Sequence, residues 1–479
     1  MPIAPTYRAD PKFPELGPEF ADAVEAAAFP ATILRYRNDR AAATVGLEQL
    51  TDAEWIAHFG RFEPLPGAIA PPIAQRYHGH QFRVYNPELG DGRGFLFAQL
   101  REAQTGRLLD LGTKGSGETP WSRQGDGRLT LKGGLREVLA TAMLEALGVP
   151  TSRSFSLVET GEALTRTDEP SPTRAAVLVR LSHSHIRFGT FQRQAFYERG
   201  DKVEALVDHV IAHYYPSLTG ANDKAAALLA VVIRKSARLT ARWMAAGFIH
   251  GVLNTDNMSI TGESFDYGPY RFLPRNDPNF TAAYFDQNGL YAFGRQPEAV
   301  FWNLQQLAGC LSLVTASEPL VEALNGFAAV YRRELIAAML DRLGLKPLGE
   351  EPDAVFVQAV FKAIAAGSEP LRWEPFFFDW FCGEAERAMA GPRAAIYETE
   401  GFADFRRLIE DYECDRPGRL GHPYFARREP EELLIDEIEA IWAAIDKADD
   451  WGPFEAKLAA IDAARRAWGL PSQQSFAGT

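Results

Sequence analysis

Two aspartates and two asparagines lie close together in the segment HGVLNTDNMSITGESFDYGPY, residues 250–270. Asn257 and Asp266 offer oxygen ligands that suit Mg²⁺, which is usually held by one or two carboxylates together with the phosphates of a substrate. Asp256 is a candidate proton acceptor for an attacking hydroxyl, provided that it lies within hydrogen-bond reach. The alternative is a polar turn whose side chains bond to their own backbone. The segment therefore predicts either a metal and base site or an Asx-rich turn.

A second candidate is the glycine-rich stretch LGDGRGFLFAQL, residues 89–100. Gly90, Gly92 and Gly94 would let backbone N–H groups approach an anion such as a phosphate. The residues that follow have strand character, whereas a dinucleotide fingerprint requires a helix there. No GxxxxGK[ST] sequence occurs, which argues against a P-loop. The stretch predicts a glycine hairpin over phosphates, with a plain turn as the alternative.

Four charged residues outside these segments are candidates for binding or organising phosphates. Lys114 ends an apolar run and is followed by glycine, so its ammonium could meet a phosphate. Glu137 lies in the helical stretch LREVLATAMLEALG and could orient that lysine through a salt bridge. Arg180 and Arg187, in VLVRLSHSHIRFG, could hold a phosphate through their planar guanidinium groups. The alternatives are a solvated surface lysine and purely structural salt bridges.

The elements that must position these side chains fall into four stretches. Residues 1–75 are rich in proline and alanine around one helical stretch, whereas 76–200 hold short apolar runs separated by glycine turns. In residues 201–400, apolar residues recur every three to four positions, which predicts helices. The pattern in residues 401–479 predicts two amphipathic helices. We therefore predict an α+β fold with a β-rich N-terminal lobe, a mostly helical C-terminal lobe and an extension at each end.

Local patterns predict the surroundings of the candidate metal and base segment. Gly247 is expected to end the helix that precedes it. The residues MSI at 258–260 and the short run before Asp266 are expected to form small strands on either side of the polar turn. Further along, the run LVEALNGFAAVYRRELIAAMLDRLG, residues 320–344, has the apolar spacing of a helix.

Composition excludes several classes of protein. The 479 residues carry a formal net charge of −13, which disfavours nonspecific binding to nucleic acid or to an anionic membrane. The three cysteines, Cys310, Cys382 and Cys414, lack CxxC or zinc-ligand spacing, so a reduced compartment is expected. The longest strongly apolar run, 225–233, is far shorter than a membrane span, and the N-terminus lacks the layout of a signal peptide. These features predict a cytoplasmic protein.

The order of the candidate residues matches that of a protein-kinase-like fold: glycine hairpin, strand lysine, helix glutamate, then Asp-Asn and a later Asp. The HRD and DFG signatures of kinases are absent. The motifs YHGHQF, LGDGRG, LGTKGSGETPWSRQGDGR, LREVL, SHIRFG and HGVLNTDNMSITGESFDYGP, between about residues 75 and 300, resemble the selenoprotein O family of kinase-like protein adenylyltransferases. That resemblance implies a protein-kinase-like two-lobed fold.

The resemblance also implies an activity: ATP is bound in a flipped orientation, and AMP is transferred to Ser, Thr or Tyr hydroxyls of proteins, with self-modification left open. Asp256 would accept the proton, and Asn257 and Asp266 would hold Mg²⁺, with Mn²⁺ as the alternative ion. Glu137 would position Lys114. The residues implied in nucleotide binding are Gly90, Gly92, Arg93, Lys114, Asp126, Gly127, Glu137, Arg180, Arg187 and Asp266.

Two alternative functions and two departures from the family accompany this hypothesis. The alternatives are a kinase-type phosphotransferase and a noncatalytic ATP-binding scaffold, although retention of Asp256 counts against a scaffold. Arg83 stands where the family usually has glycine, which could alter its loop or its anion contacts. The chain ends in LPSQQSFAGT, with no cysteine in the last sixty residues, so the C-terminal disulfide switch of some relatives is not expected.

Overall fold

The computed structural model describes residues 3–167, 169–367 and 370–470. Its strands are β1 (Ala21–Ala23), β2 (Ile33–Arg37), β3 (Ile73–Gln75), β4 (Gly79–Gln81), β5 (Val84–Asn86), β6 (Leu96–Arg101), β7 (Leu108–Lys114), β8 (Leu129–Thr130), β9 (Arg153–Leu164), β10 (Thr173–Ser182), β11 (Phe248–Ile249) and β12 (Arg271–Phe272). Its α-helices are α1 (Asp39–Ala43), α2 (Asp52–Phe59), α3 (Leu131–Ala146), α4 (Phe188–Phe196), α5 (Gly200–Tyr214), α6 (Lys224–Ala245), α7 (Gln296–Leu311), α8 (Ser317–Asn325), α9 (Phe327–Leu343), α10 (Glu350–Ala366), α11 (Trp373–Asp379), α12 (Ala385–Ala390), α13 (Ala394–Tyr397), α14 (Ala403–Ile409), α15 (Ile435–Ala448) and α16 (Gly452–Trp468).

One antiparallel sheet dominates the first two hundred residues. Its order is β1-β3-β6-β7-β10-β9-β2, with β8 paired to β10. In its centre β7 is fully buried and β10 is buried except at Arg174, and their register places Arg180 opposite Gly112 and Leu178 opposite Lys114. The rest of the chain is mostly helical, which gives an α+β fold compatible with the predicted two lobes.

The N-terminal stretch is part of this sheet. β1 and β2 form its two opposite edges, so residues before 75 flank the central strands on both sides. Helix α2 occurs where predicted, and the Thr51 hydroxyl and the Glu54 carboxylate form a capping box at its start. Trp55 of this helix stacks on Phe155 of β9 with ring centroids 4.9 Å apart. The domain boundary at residue 75 remains a prediction.

The run 320–344 is helical as expected, although Gly326, a residue with low helix propensity, divides it into α8 and α9. The prediction of a strand at 258–260 was wrong. The MSI residues form no strand: Ser259 makes only an isolated bridge to Arg187, and the small sheet is formed by β11 and β12 on either side of the segment. Gly247 ends α6 as predicted, with a φ of 62°.

The cysteines also differ from expectation. Cys382 and Cys414 form a disulfide, with their Cα atoms 4.5 Å apart, although they are 32 residues apart in sequence. This disulfide counts against the expectation of a reduced compartment; of the three cysteines Cys310 alone is free, and it is buried. Sequence spacing could not reveal the pair because the helical fold brings the two residues together. Residues 471–479, which include most of the LPSQQSFAGT stretch considered above, lie outside the described residues.

The two C-terminal helices were predicted correctly and pack back onto the start of the chain. Phe454 and Ile461 of α16 join the core that contains α3, whereas Trp468 joins the core of the later helices. Lys132 at the start of α3 pairs with Glu439 of α15 at 2.7 Å. These helices therefore connect the sheet region to the helical region. None of the helices in the described ranges combines the length and apolar character that crossing a bilayer requires.

A buried ion pair in the helical region provides a test of the fold. Arg342 is 1% exposed, donates to Glu374 at 2.5 Å, and lies over the ring of Trp468. We expect Arg342→Met to lower the free energy of unfolding by about 3–5 kcal/mol, because it leaves the Glu374 carboxylate buried without its counter-charge. Arg342→Met combined with Glu374→Leu should restore much of that loss.

Urea unfolding followed by circular dichroism measures both effects. The matched control is Lys346→Met, which removes the exposed pair with Glu413 and should change stability by less than about 1 kcal/mol. Equal losses for Arg342→Met and Lys346→Met would contradict the assignment of Arg342 as a buried structural charge.

Candidate active site

A cavity of about 700 Å³ lies between the central strands and the segment that follows α6. Its walls come from the glycine turn before β6, the end of β7, the loop between β7 and β8, β10 and the residues after β11. With the exception of Glu137, all of the predicted site residues line it: Gly90, Gly92, Arg93, Lys114, Asp126, Gly127, Arg180, Arg187, Asp256, Asn257 and Asp266.

A cluster of buried charges forms one wall of the cavity. Lys114 at the end of β7 donates to Glu137 of α3 and, at 2.8 Å, to Asp266. Arg180 of β10 donates to the same oxygen of Asp266 at 3.3 Å and lies 4.0 Å from Glu137. Glu137 is the buried partner that fixes Lys114, as predicted from the sequence order. The expected alternative of a surface lysine is excluded, because Lys114 is 5% exposed.

Asp266 is held as a carboxylate by this cluster. Burial acts to raise its pKa, but Lys114 and the two arginines, Arg180 and Arg187, outweigh that effect and hold the pKa well below its usual range. Its backbone is left-handed, with a φ of 63°, a conformation that costs energy in a residue other than glycine. The ionised side chain is therefore aimed at the cavity by a strained turn.

Asp256 has the opposite electrostatic environment. Burial raises its pKa to about 6, even though Arg187 favours the charged form. Its Oδ1 is buried and has no hydrogen-bond partner among the described residues. A Cβ added at Gly79 would lie 2.8 Å from that oxygen, so the β4 backbone passes close beside it. A carboxyl group whose pKa lies near neutrality is suited to accept a proton.

The turn that carries Asp256 is held by contacts that sequence reasoning missed. The Thr255 hydroxyl donates to Gln192 and accepts from the backbone N–H of His80 at 2.7 Å. Asn254 Oδ1 accepts from the backbone N–H of Phe82 and from the Tyr291 hydroxyl. The β4–β5 hairpin thus positions the turn, and the YHGHQF motif was the signal that pointed to it. The Asx-turn alternative fails for Asn254, which binds other segments.

Arg187 connects three parts of the site. It donates to the backbone carbonyl of Asp256 at 3.1 Å and to Asp91 at 3.1 Å. Its guanidinium lies between the rings of Tyr77 and Phe265, 4.4 and 5.0 Å from their centroids. The Nε atoms of Arg187 and Arg180 are buried without a hydrogen-bond partner in the described part of the chain. Asp91 and Tyr77 are members of the site that the sequence did not single out, although Asp91 stands inside the quoted LGDGRG motif.

Asn257 and Asp266 fit a hard cation. The Asn257 amide nitrogen donates to the Val252 carbonyl at 2.9 Å, which leaves the amide oxygen as its ligand atom. Among the described residues no group of three or more His, Cys, Asp or Glu side chains could hold a metal by itself. One amide oxygen and one carboxylate agree with Mg²⁺, which completes its coordination with water and substrate phosphates.

The glycine turn is shaped by an aromatic side chain. A Cβ at Gly90 would overlap the indole of Trp121, and one at Gly92 would lie 2.7 Å from the Trp121 carbonyl oxygen. Hydroxyls of Thr119 and Ser122 donate to carbonyls of the turn. Glycine is therefore required at positions 90 and 92 because residues 119–122 pack closely against the turn. Close approach of a phosphate would be a further reason. Trp121 was present in the quoted motif but was not predicted as a site residue.

The remaining predicted contacts lie at the outer part of the cavity. Asp126 pairs with Arg166 at 2.7 Å, and Gly127 has a φ of 66° at a point where its backbone packs against Gly117. The Arg93 carbonyl accepts from the backbone N–H of Gly115 at 2.6 Å. These residues face the cavity, while their contacts with a nucleotide remain a prediction.

Arg83, the position expected from the sequence to depart from the family, does not line the cavity. Its φ is 64°, the left-handed conformation that glycine adopts without strain. Its side chain pairs with Glu298 at 2.9 Å and lies over the ring of Trp302, both in α7. Arg83 thus has a backbone conformation that glycine also adopts, and its side chain contacts the helical region.

Comparison with known proteins places this site in a class. Proteins named protein nucleotidyltransferase YdiU are similar over nearly their whole length: that of Synechocystis is 45% identical over 93% of this chain and 96% of its own. The protein of Gloeobacter violaceus is 47% identical over 93% of both chains, and that of Aeromonas hydrophila is 40% identical over 87% and 86%. The chain is therefore an enzyme of the nucleotidyltransferase class. The family model described as protein adenylyltransferase SelO matches residues 5–462, and the chain belongs to that family.

The packing of the glycine turn leads to a prediction. We expect Gly90→Ala to displace Trp121 and to weaken ATP binding about tenfold or more, because the added methyl overlaps the indole. Isothermal calorimetry with a nonhydrolysable ATP analogue measures the change. Gly309→Ala in α7, where a Cβ meets no described atom within 4 Å, is the control and should leave affinity unchanged. If Gly90→Ala bound the ATP analogue with unaltered affinity, the glycine turn would have no role in nucleotide binding.

Proposed function

We propose that the chain transfers AMP from ATP to Ser, Thr or Tyr hydroxyls of proteins, within a protein-kinase-like two-lobed arrangement. The observation that carries the proposal is the pair of buried arginines, Arg180 and Arg187, facing the same cavity as Lys114, Asp256 and Asp266. A triphosphate directed into that wall requires cations there, and the guanidinium-bearing residues Arg180 and Arg187 both line the cavity.

The phosphate-binding residues would act by position and charge. In the proposed orientation Arg180 and Arg187 hold the β- and γ-phosphates, and Lys114 contacts the phosphates from the end of β7. The glycine turn with Gly90, Gly92 and Arg93 covers the nucleotide, and Asp126 and Gly127 contact it from the loop before β8. Negative charge develops on phosphate oxygens during transfer, so fixed cations in a buried site stabilise it without reorganisation.

The reacting atoms would be brought together at the turn after β11. A substrate hydroxyl oxygen attacks the α-phosphorus, the bond from that phosphorus to the α,β-bridging oxygen breaks, and pyrophosphate leaves. Asp256 accepts the hydroxyl proton, and its pKa of about 6 leaves it mostly ionised at neutral pH. Asn257 and Asp266 would hold Mg²⁺, or Mn²⁺ in its place, which when bound neutralises charge on the phosphate oxygens.

Labelled ATP discriminates between the proposal and its alternatives. The purified chain is incubated with a cell lysate, Mg²⁺ and ATP labelled at either the α- or the γ-phosphate, and protein-bound label is measured after electrophoresis. Label from the α-position alone is expected, and label on the chain itself would show self-modification. Label from the γ-position alone would mean phosphoryl transfer, and nucleotide binding with no transfer of either label would favour the scaffold.

The role of Asp256 leads to a second prediction. Asp256→Asn keeps the size of the side chain but removes the proton acceptor, so the transfer rate should fall by about 10²- to 10⁴-fold. Affinity for a nonhydrolysable ATP analogue should stay within about twofold of the unaltered chain, because the side chain is not proposed to touch the phosphates. If Asp256→Asn transferred AMP at the normal rate, a residue other than Asp256 would have to accept the proton.

The role of Asp266 leads to a third prediction. Asp266→Asn should abolish the increase in ATP-analogue affinity that Mg²⁺ produces, because it removes the carboxylate ligand. Asp126→Asn is the matched control: it also removes a carboxylate from the cavity wall, but that carboxylate pairs with Arg166, so Mg²⁺ dependence should persist. Calorimetric titrations with and without Mg²⁺ provide the comparison, and loss of the dependence in both variants would contradict a specific ligand role for Asp266.

A further inference from the structure

Tyr77 lines the active-site cavity, but none of the steps proposed above uses its hydroxyl group. The residue lies two positions after β3 and is 7% exposed. Its hydroxyl forms no hydrogen bond with any residue in the described part of the chain, whereas those of the buried Tyr215 and Tyr270 donate to backbone carbonyls. Tyr77 is therefore a buried residue of the cavity wall whose polar group has no partner among the described residues.

The ring of Tyr77 has a packing role that does not need the hydroxyl. The guanidinium carbon of Arg187 lies 4.4 Å from the centroid of the Tyr77 ring and 5.0 Å from that of Phe265. A cation–π contact depends on the face of the ring, and Phe265 makes its contact without a hydroxyl. Phenylalanine at position 77 would avoid the cost of burying a polar group without a partner. The hydroxyl therefore needs an explanation of its own.

Backbone contacts on both sides of Tyr77 hold it in place. Two residues earlier, the Gln75 carbonyl accepts from the backbone N–H of Asp91, which belongs to the glycine turn, at 3.0 Å. One residue later, the backbone N–H of His78 donates to the Gly189 carbonyl at 3.1 Å. A Cβ at Gly189 would lie 3.5 Å from that of Tyr77. Tyr77 is thus fixed between the glycine turn and the start of α4.

The hydroxyl keeps its proton in this environment. Burial raises the pKa of Tyr77 well above its usual range. Arg187 acts in the opposite direction, but the nearby carboxylates of Asp91, Asp256 and Asp266 add to the rise. A protonated phenol can donate a hydrogen bond to an anion without bringing a charge into the site. Tyr77 is therefore suited to contact a bound anion and unsuited to act as a base.

The neighbouring carboxylates do not accept from this hydroxyl. Asp256 Oδ1 is buried without a partner among the described residues, and the hydrogen bonds to the carboxylates of Asp91 and Asp266 come from other residues. A ligand in the cavity is the remaining source of an acceptor. Because the Tyr77 ring lies on Arg187, the nearest groups of a bound ATP would be the phosphates that this arginine holds.

We propose that the Tyr77 hydroxyl donates a hydrogen bond to an oxygen of the β- or γ-phosphate of ATP and keeps this contact with the pyrophosphate that leaves. The inference rests on the proposed function, in which Arg187 holds these two phosphates. Pyrophosphate gains negative charge when the bond from the α-phosphorus to the bridging oxygen breaks. A fixed neutral donor beside Arg187 stabilises that charge, and the hydroxyl neither gains nor loses a proton in this step.

The variant Tyr77→Phe tests the hydroxyl because it keeps the ring on Arg187. Calorimetry in the presence of Mg²⁺ should show that pyrophosphate and a nonhydrolysable ATP analogue both bind about fivefold to tenfold more weakly. AMP lacks both phosphates, so its affinity should stay within about twofold. Without a ligand, the melting temperature should stay the same or rise, because the variant loses a buried hydroxyl that has no partner. A loss of affinity without a loss of stability would exclude misfolding as its cause.

Two further variants separate the hydroxyl from the ring and from unspecific effects. Tyr77→Leu removes the ring as well and should weaken pyrophosphate binding more than Tyr77→Phe does. Tyr7→Phe removes a hydroxyl that donates to the Pro66 carbonyl at 2.8 Å outside the cavity, and it should bind all three ligands as the unaltered chain does. If Tyr77→Phe bound pyrophosphate normally and Tyr77→Leu did not, the ring alone would matter and the proposal would be wrong. Equal weakening of AMP and pyrophosphate binding in Tyr77→Phe would also contradict it.

A separate transfer assay distinguishes failure of this inference from failure of the proposed function. At saturating ATP, Tyr77→Phe should transfer the α-phosphate label at least about tenfold more slowly than the unaltered chain. If the unaltered chain transferred no AMP but Tyr77→Phe still weakened pyrophosphate binding, the proposed function would fail and the phosphate contact of Tyr77 would stand. If the unaltered chain transferred AMP and Tyr77→Phe bound pyrophosphate normally, the contact would fail and the function would stand.

Discussion

The arrangement of the site depends on one buried charge cluster, in which Lys114 and Arg180 converge on Asp266 while Glu137 holds the lysine. Charges removed from water are costly unless each has a partner with good geometry. The four residues come from a strand, a neighbouring strand, a helix and the turn after β11, so satisfying them requires all four elements to meet at one place. The cluster therefore favours the arrangement in which β7, β10, α3 and the turn after β11 meet. The cavity lies beside this meeting point.

The contrast between Asp266 and Asp256 follows from the same arrangement. Asp266 is surrounded by cations and stays ionised, whereas Asp256 is buried beside one arginine whose hydrogen bond goes to the backbone carbonyl. Two carboxylates ten residues apart thus differ in proton affinity because of their neighbours rather than their type. Leaving one oxygen of Asp256 without a partner is unfavourable for folding, and the hydrogen bonds of Thr255 and Asn254 to the β4–β5 hairpin hold the turn despite that cost.

Sequence patterns predicted what depends on nearby residues. Apolar periodicity located β6, β7, β9, β10 and about half of the α-helices, among them α3, α6 and α16, and the order of charged residues located Lys114, Glu137 and the segment from Asp256 to Asp266. What depends on distant residues was missed: the approach of Trp121 to the glycine turn, the Cys382–Cys414 disulfide, and the joining of β1 and β2 to opposite edges of the sheet. A sequence pattern shows the helix or strand propensity of a segment and the period of its apolar residues. It does not show which segments become neighbours after folding.

The distribution of charge reconciles an acidic protein with the proposed site for ATP. Charges on the surface are screened over about 8 Å at physiological ionic strength, so the net charge of −13 acts weakly inside a recess. Buried cations such as Arg180 and Arg187 are screened much less and dominate the potential within it. A highly charged ligand small enough to enter would therefore experience the local cations, while a large polyanion such as nucleic acid would meet the acidic exterior. For the proposed ATP site, enclosure therefore matters more than net charge.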